Sequence, residues 1–414
     1  MRRRLTAPTL SWALYDWANS AYATIVIAGF FPVLFKQYWA ADLAVEDSTF
    51  WLGVANSIAS VVVAIIAPLL GAIADRAACR KKFLLRFAVL GIVMTTALYF
   101  VAAGSWMIAI VIYMLASIGF AGGNIFYDAL LTSVSSDHDR DRVSALGYAL
   151  GYLGGGLLLA LVVIAINFPS WFGLIDAGVV IKASFIIVAL WWGVFSLPLW
   201  WSLDEPGTAP SMSTTQMVSA GWIQLSATFR QVRERRTVWV FLCAYWLYID
   251  GVDTVVRMAV DYGLSLGFES NDLIAALLLT QLVGVPATLL WGRVARVTGA
   301  KNGILLGLAI YVLITLLASR ITQVWEFFAI AAMIGVAQGG VQALSRSYYA
   351  GLIPADASAE FFGFYNLLGK FAAVIGPLLM GWVGVISGDP RLGMLSLLVL
   401  FVSGGWLLQW NKVS

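Results

Sequence analysis

Asp250, Asp253, Arg257 and Asp261 interrupt a stretch, Trp239 to Leu266, that otherwise reads as a membrane-spanning helix. A charge in hydrocarbon costs several kcal/mol, so such groups persist where they face a bundle interior or a water-filled path. At 100° per residue the four positions fall within an arc of about 80°, on one helix face. The chain is 61% hydrophobic with a mean hydropathy of +0.88, so one polar stripe in it implies a polar route through a membrane.

Apolar residues are numerous enough in 414 positions for twelve spans of about 20 residues each. Runs bounded by charges place them near 12–38, 50–74, 83–103, 106–132, 143–167, 177–201, 237–265, 272–295, 302–320, 325–349, 360–386 and 392–410. The first run follows three arginines but is too long and, at Asp16 and Asn19, too polar for a signal peptide. Between spans six and seven lies a polar connection. The chain therefore divides into 1–202, a linker 203–236 and 237–414. The linker's second part, ending in Arg230, Arg233, Arg235 and Arg236, suits either a solvated tether or an amphipathic surface helix. With both termini on one side, nineteen of the 25 lysines and arginines fall on that side, Arg346 among them. Lys36, Lys182, Arg320 and Arg391 fall on the other, so both termini are expected in the cytoplasm, with the inner membrane as location. Ile118, Gly119, Ala121, Gly123 and Gly147 recur 216 positions later as Ile334, Gly335, Ala337, Gly339 and Gly363. That offset predicts an all-α integral membrane protein of twelve transmembrane helices in two pseudo-symmetric six-helix bundles.

Several functions are excluded. Charged residues are only 11% of the chain and the net charge of +3 is too dispersed for nucleic acid. Cys79, Cys243 and the lone His138 form no disulfide framework, metal cluster or nucleophile–base pair, so no enzyme, cofactor or metal site is expected. No charged ring or filter-like loop suggests a channel.

The loop after span two reads Gly71-Ala-Ile-Ala-Asp75-Arg76-Ala-Ala-Cys-Arg80-Lys81-Lys82. It resembles the signature loop of the major facilitator superfamily, with Ala78 in place of the usual second glycine. In the corresponding loop of the second half, Gly292, Gly299 and Lys301 fit and Arg296 stands where the acid would be. Span one opens Tyr15-Asp16-Trp17-Ala18-Asn19-Ser20-Ala21-Tyr22, and span seven carries Asp250-Gly251-Val-Asp253-Thr254-Val-Val-Arg257-Met258. Both resemble the vacuole effluxer-like branch of that superfamily, also called the unknown major facilitator family. The resemblance implies a carrier, associated in fungi with amino-acid release from the vacuole, with spans one, four, seven and ten lining the cavity.

Gly71, Asp75, Arg76 and Arg80 are expected to latch one side, Asp opposing the macrodipole unless a cation or another helix's N-terminus answers it; a plain topology anchor is the alternative. Asp250 lies roughly 18 Å deep at 1.5 Å per residue, near the midplane. It is a candidate proton carrier together with Asp253. Asp253, Arg257 and Asp261 are spaced for intrahelical pairs, as a structural ladder or as cargo ligands. Lys370 in span eleven suits a carboxylate while an acid holds an ammonium, or it bridges to Asp250. Asn19 and Tyr22 are candidate cargo donors, Gln338 and Gln342 neutral hydrogen-bonding groups or helix contacts, and Asp128 a gating residue. Asp16 is expected to meet a loop arginine, and the stripe Gly147, Gly151 and Gly155 serves packing alone. The expectation is a monomeric, proton-coupled secondary transporter of a small polar solute, an amino acid or similar zwitterion. The rival is an exporter of amphipathic drugs or lipids, favoured slightly by the 18 tryptophans.

Overall fold

The computed structural model describes residues 6–43, 45–76, 78–173, 177–205, 227 and 229–411. Side chains at 45–50, 53, 57, 64, 68, 172, 177, 260, 261, 264, 265, 270, 271, 370–374 and 385 lie outside that description. Asp261 and Lys370 therefore have only their helical backbones described. The described fold is all-helical. Its passages are α1 (Ala7–Trp39), α2 (Val45–Arg76), α3 (Arg80–Leu98), α4 (Trp106–Val134), α5 (Arg140–Asn167) and α6 (Ala177–Ser202). There follow α7 (Arg236–Ser265), α8 (Ser270–Thr298), α9 (Ala300–Ala318), α10 (Val324–Leu352), α11 (Ser358–Ser387) and α12 (Pro390–Trp410). Among the described residues ten helices are long and apolar enough to cross a bilayer. In α3 four basic residues crowd the first turns, and α11 offers the shorter apolar stretch Ile375–Gly384.

The helices start and stop where local chemistry allows. α1 begins earlier than its apolar run because Thr6 caps it, accepting the Thr9 N–H at 3.3 Å, and Pro8 sits in the first turn. From Tyr22 to Phe30 α1 widens into π turns just before Pro32, which has no N–H to donate. Lys81 at the start of α3 donates to the carbonyls of Trp200 and Leu203 at the end of α6. Lys301 at the start of α9 does the same for Gln409 and Asn411 at the end of α12. A cation on the carbonyls that end a helix is favourable by charge and by hydrogen bonding. The same device in both halves is the pseudo-symmetry expressed in side chains.

The bundles meet along two seams, α2 against α11 and α5 against α8, while α10 and α11 also reach α4 and α5. Among the described residues α1 and α7 scarcely touch. The polar cross-bundle bonds gather at the end carrying both chain termini, called the terminal face below: Ser358 Oγ to the Ala129 carbonyl at 3.1 Å and Ser144 Oγ to the Ala343 carbonyl at 2.7 Å are two of them. The bundles are thus drawn together on the terminal face.

Candidate functional site

Three polar constellations lie between the bundles. At the terminal face, α11 begins with Ala357 in the cap position and no side chain of its own on the exposed N–H groups. The Asp75 carboxylate of α2 fills that need from the other bundle. It accepts the N–H of Ala359 at 3.1 Å and of Glu360 at 2.9 Å, while Arg80 pairs with the same carboxylate. Arg80 also donates to the carbonyls of Ala355 and Asp356, at 2.8 and 2.9 Å. Gly71 makes the approach possible: a Cβ there would lie 2.4 Å from the Ala359 carbonyl oxygen. Arg76 ends α2 exposed. The second half repeats the geometry with opposite charge. Gly292 faces the start of α5, and Arg296, four residues on, lies 3.9 Å from Asp139. The start of α5 already carries Asp139 and Asp141, so a cation rather than an acid answers it.

Deeper, Arg346 of α10 is 2% exposed and enters the first bundle. Its Nη1 lies 3.3 Å from Asp128 of α4 and 3.8 Å from Asp16 of α1. Nε donates to Ser144 Oγ at 3.0 Å and Nη2 to the Ser144 carbonyl at 2.9 Å. The rings of Trp12, Tyr127 and Tyr148 close around the guanidinium at 4.9, 5.2 and 4.2 Å. Tyr127 Oη donates to Asp16 at 3.0 Å, and Asn366 of α11 donates to Asp128 at 3.1 Å. One cation thus faces two carboxylates in a pocket of aromatic rings. Asp16 meets an arginine, as the sequence suggests, but one from inside α10 of the other bundle. Arg346 is no loop residue.

On α7, Asp250 is 1% exposed and turned into its own bundle, where both carboxylate oxygens accept the Gly376 N–H of α11, at 2.9 and 3.0 Å. Thr254 Oγ1 donates to it at 3.5 Å. Asp253 and Arg257 stand 3.9 Å apart with side chains 25% and 58% exposed. The hydroxyls of Tyr152, Thr288 and Tyr311 are buried without a hydrogen-bond partner among the described residues. The Tyr152 ring rests against Gly284 and Gly339, where a Cβ would collide.

Asn19 and Tyr22 sit apart from the α7 charges. Asn19 donates to Asn124 at 2.6 Å and Tyr22 pairs with Ser117 at 3.0 Å, both buried against α4 in this conformation. Gln338 and Gln342 are half-buried on α10. The glycine stripe of α5 packs on α1 but also shapes the arginine pocket: a Cβ at Gly147 would stand 2.6 Å from Tyr127 Oη and 3.1 Å from Arg346 Nη2. Sequence reasoning missed the arginine pocket. The available signal was a polar run, Ser345-Arg346-Ser347, inside the tenth apolar segment.

This geometry, two helical bundles latched on one face with buried charge between them, is that of a membrane carrier, and comparison with known proteins agrees. Residues 41–414 match the family described as vacuole effluxer Atg22 like. The chain belongs to that family. It is 35% identical, over 98% of its length and 94% of the relative, to the uncharacterized MFS-type transporter YxiO of Bacillus subtilis (strain 168). It is 26% identical to autophagy-related protein 22-1 of Penicillium rubens across 63% of this chain, and spans about half (47%) of that longer fungal protein. Among solved structures it resembles the human organic anion transporter MFSD10 (TM-score 0.73, 17% identity, 99% of both chains). It also resembles the proton:xylose symporter XylE (TM-score 0.74, 12% identity, 99% of this chain and 95% of that one). At those identities the structures establish the fold, the major facilitator arrangement. The Atg22-like chain is a multi-pass membrane transporter of MFS type and not an enzyme.

Proposed function

We propose that this transporter is a secondary active carrier of a small polar solute, an amino acid or similar zwitterion, working by alternating access with a proton coupled at Asp250 or Asp253. What supports this reading is the pair Asp253–Arg257 on α7, an acid and a base 3.9 Å apart with both side chains partly exposed, an arrangement that complements the opposite charges of a zwitterion. The hydroxyls of Tyr152, Thr288 and Tyr311, unpartnered among the described residues, offer the neutral donors and acceptors that a small polar molecule requires. Asp250 lies one turn closer to the terminal face on the same arc, in a water-poor setting suited to a group that exchanges a proton. The asymmetry of basic loops supports cytoplasmic termini, in the inner membrane; the monomer is proposed as the working unit.

A second reading, export of amphipathic compounds, is favoured by one feature. Behind the charged face of α7 an apolar crevice is lined by Val255, Leu273, Leu277, Ile314, Ile330 and Met394. Thermal-shift screening of the purified protein separates the two, because bound cargo stabilises the folded state. Stabilisation by amino acids, and proteoliposome uptake driven by a pH gradient and lost in D253N and R257Q, are the expected results. Stabilisation by lysolipids or cationic amphiphiles alone removes the zwitterion reading. Undiminished pH-driven uptake in D250N and D253N removes the coupling.

A further inference from the structure

We propose that Asp16 and Asp128 form a proton-binding site distinct from the acids of α7, one that fills as Arg346 withdraws, so that opening the terminal face takes up a proton. The proposal rests on the alternating-access reading but on no particular cargo.

The argument begins with charge. In the closed terminal face, one guanidinium contacts both carboxylates through a single nitrogen, Nη1, at 3.8 and 3.3 Å. The two acids are therefore close neighbours, and the cation that lies between them offsets the charge of both. Among the described residues its other hydrogen bonds and ring contacts are also to the first bundle: Ser144 twice, and the rings of Trp12, Tyr127 and Tyr148. For α10 to part from α1, α4 and α5, all of these must break together. What remains is two like charges side by side, and two carboxylates in one poorly hydrated site cannot both stay ionised cheaply.

The groups facing the pair supply no second cation. Asp16 meets Ser20 on its own helix, Tyr127 from α4, and Gly151 of α5, where a Cβ would stand 2.9 Å from Oδ1. Asp128 meets Asn366 from α11. Tyr148 of α5 feels Arg346, both acids and Asp253. Nothing among these replaces Arg346 when it leaves. Asp75 and Arg80 form a separate pair nearer the terminal end. A proton on either carboxylate then relieves the repulsion left behind, and the return of Arg346 between the two acids favours its release.

The sign follows by linkage. The open state binds one proton more than the closed state, so acidification raises the ratio of open to closed, by up to tenfold for each pH unit. The test uses the full chain in nanodiscs, free of cargo, with Cys79 and Cys243 replaced by serine. Spin labels at S136C and A355C, exposed positions on the two bundles at the terminal face, report their separation. Longer distances are expected to gain population as pH falls from about 8 to about 5. That response is expected to vanish in D16N/D128N and to persist in D128E and in D250N/D253N. Single D128N, in which one acid and one arginine balance, is expected to lose it too and serves where the double variant does not fold. Distances that ignore pH in the parent, or a response retained in D128N and D16N/D128N, overturn the proposal. A cargo-site reading that failed would leave these distances unaffected, so the two failures are separable.

Discussion

Replacing Asp75 by asparagine tests whether the contact between α2 and α11 holds the terminal face shut. The carboxylate accepts two backbone N–H groups at the start of α11, at 3.1 and 2.9 Å, and works as a helix cap supplied from the other bundle. A cap bond is worth ~1 kcal/mol, and a negative charge at a helix N-terminus adds ~0.3–1 kcal/mol. Asparagine keeps one carbonyl oxygen, so D75N forfeits about one bond and the charge, roughly 1.3–2 kcal/mol. At ~1.4 kcal/mol per factor of ten, the open-to-closed ratio rises roughly eight- to thirtyfold. Amide hydrogen exchange reads this directly, since the Ala359 and Glu360 N–H groups are protected by Asp75 itself. G71A should act in the same direction and more strongly, because its Cβ would press on backbone at 2.4 Å, which cannot rotate away. Exchange at Ala359 and Glu360 within twofold of the parent in both variants would refute the reasoning.

Removing one charge of the arginine pocket should cost more than removing a balanced pair: R346A strands two buried acids and is expected to lose ~3–5 kcal/mol, while R346A/D128N regains part of it, as thermal melts would show. R346K is not conservative here, since a lysine cannot serve Asp128, Ser144 and three ring faces together; it should loosen the terminal face in the spin-label assay. D250N leaves an oxygen for the Gly376 N–H, so its melting point should move by the equivalent of only ~1 kcal/mol even where pH-driven flux is lost. In the loop between α2 and α3, burial and then the neighbouring Glu205 push the Cys79 thiol up from its ordinary value. Maleimide should therefore react with Cys79 more slowly than with a free thiol at neutral pH, and E205Q should speed the reaction.

How far the sequence reaches follows from what periodicity encodes. Hydropathy gives the number and order of helices, because each must be apolar for its own length, and the charge asymmetry of loops gives an expectation of their sense. Helical phase gives the face, so Asp250, Asp253 and Arg257 were legible as one polar stripe before any coordinates. Phase does not give the partner. Asp250, on the same arc, turns out to be committed to the backbone of α11 at Gly376, beside Pro377, an acceptor role that no spacing within α7 announces. Asn19 and Tyr22 look like donors for a solute in one dimension, yet each is matched by a polar residue one helix away, Asn124 and Ser117. Arg346 shows the limit most plainly. By composition it is one more basic residue near a helix end, and only the meeting of α1, α4, α5 and α10 makes it the buried counter-ion of two acids. The glycines of α5 complete that pocket for the same reason: Gly147 looks like helix packing, but its missing side chain is the space in which a guanidinium, a phenol and an indole converge. A larger residue there would displace Arg346 rather than merely separate two helices. A functional site between two bundles is therefore written half in each, and its chemistry becomes legible only once the pairing of the halves is known.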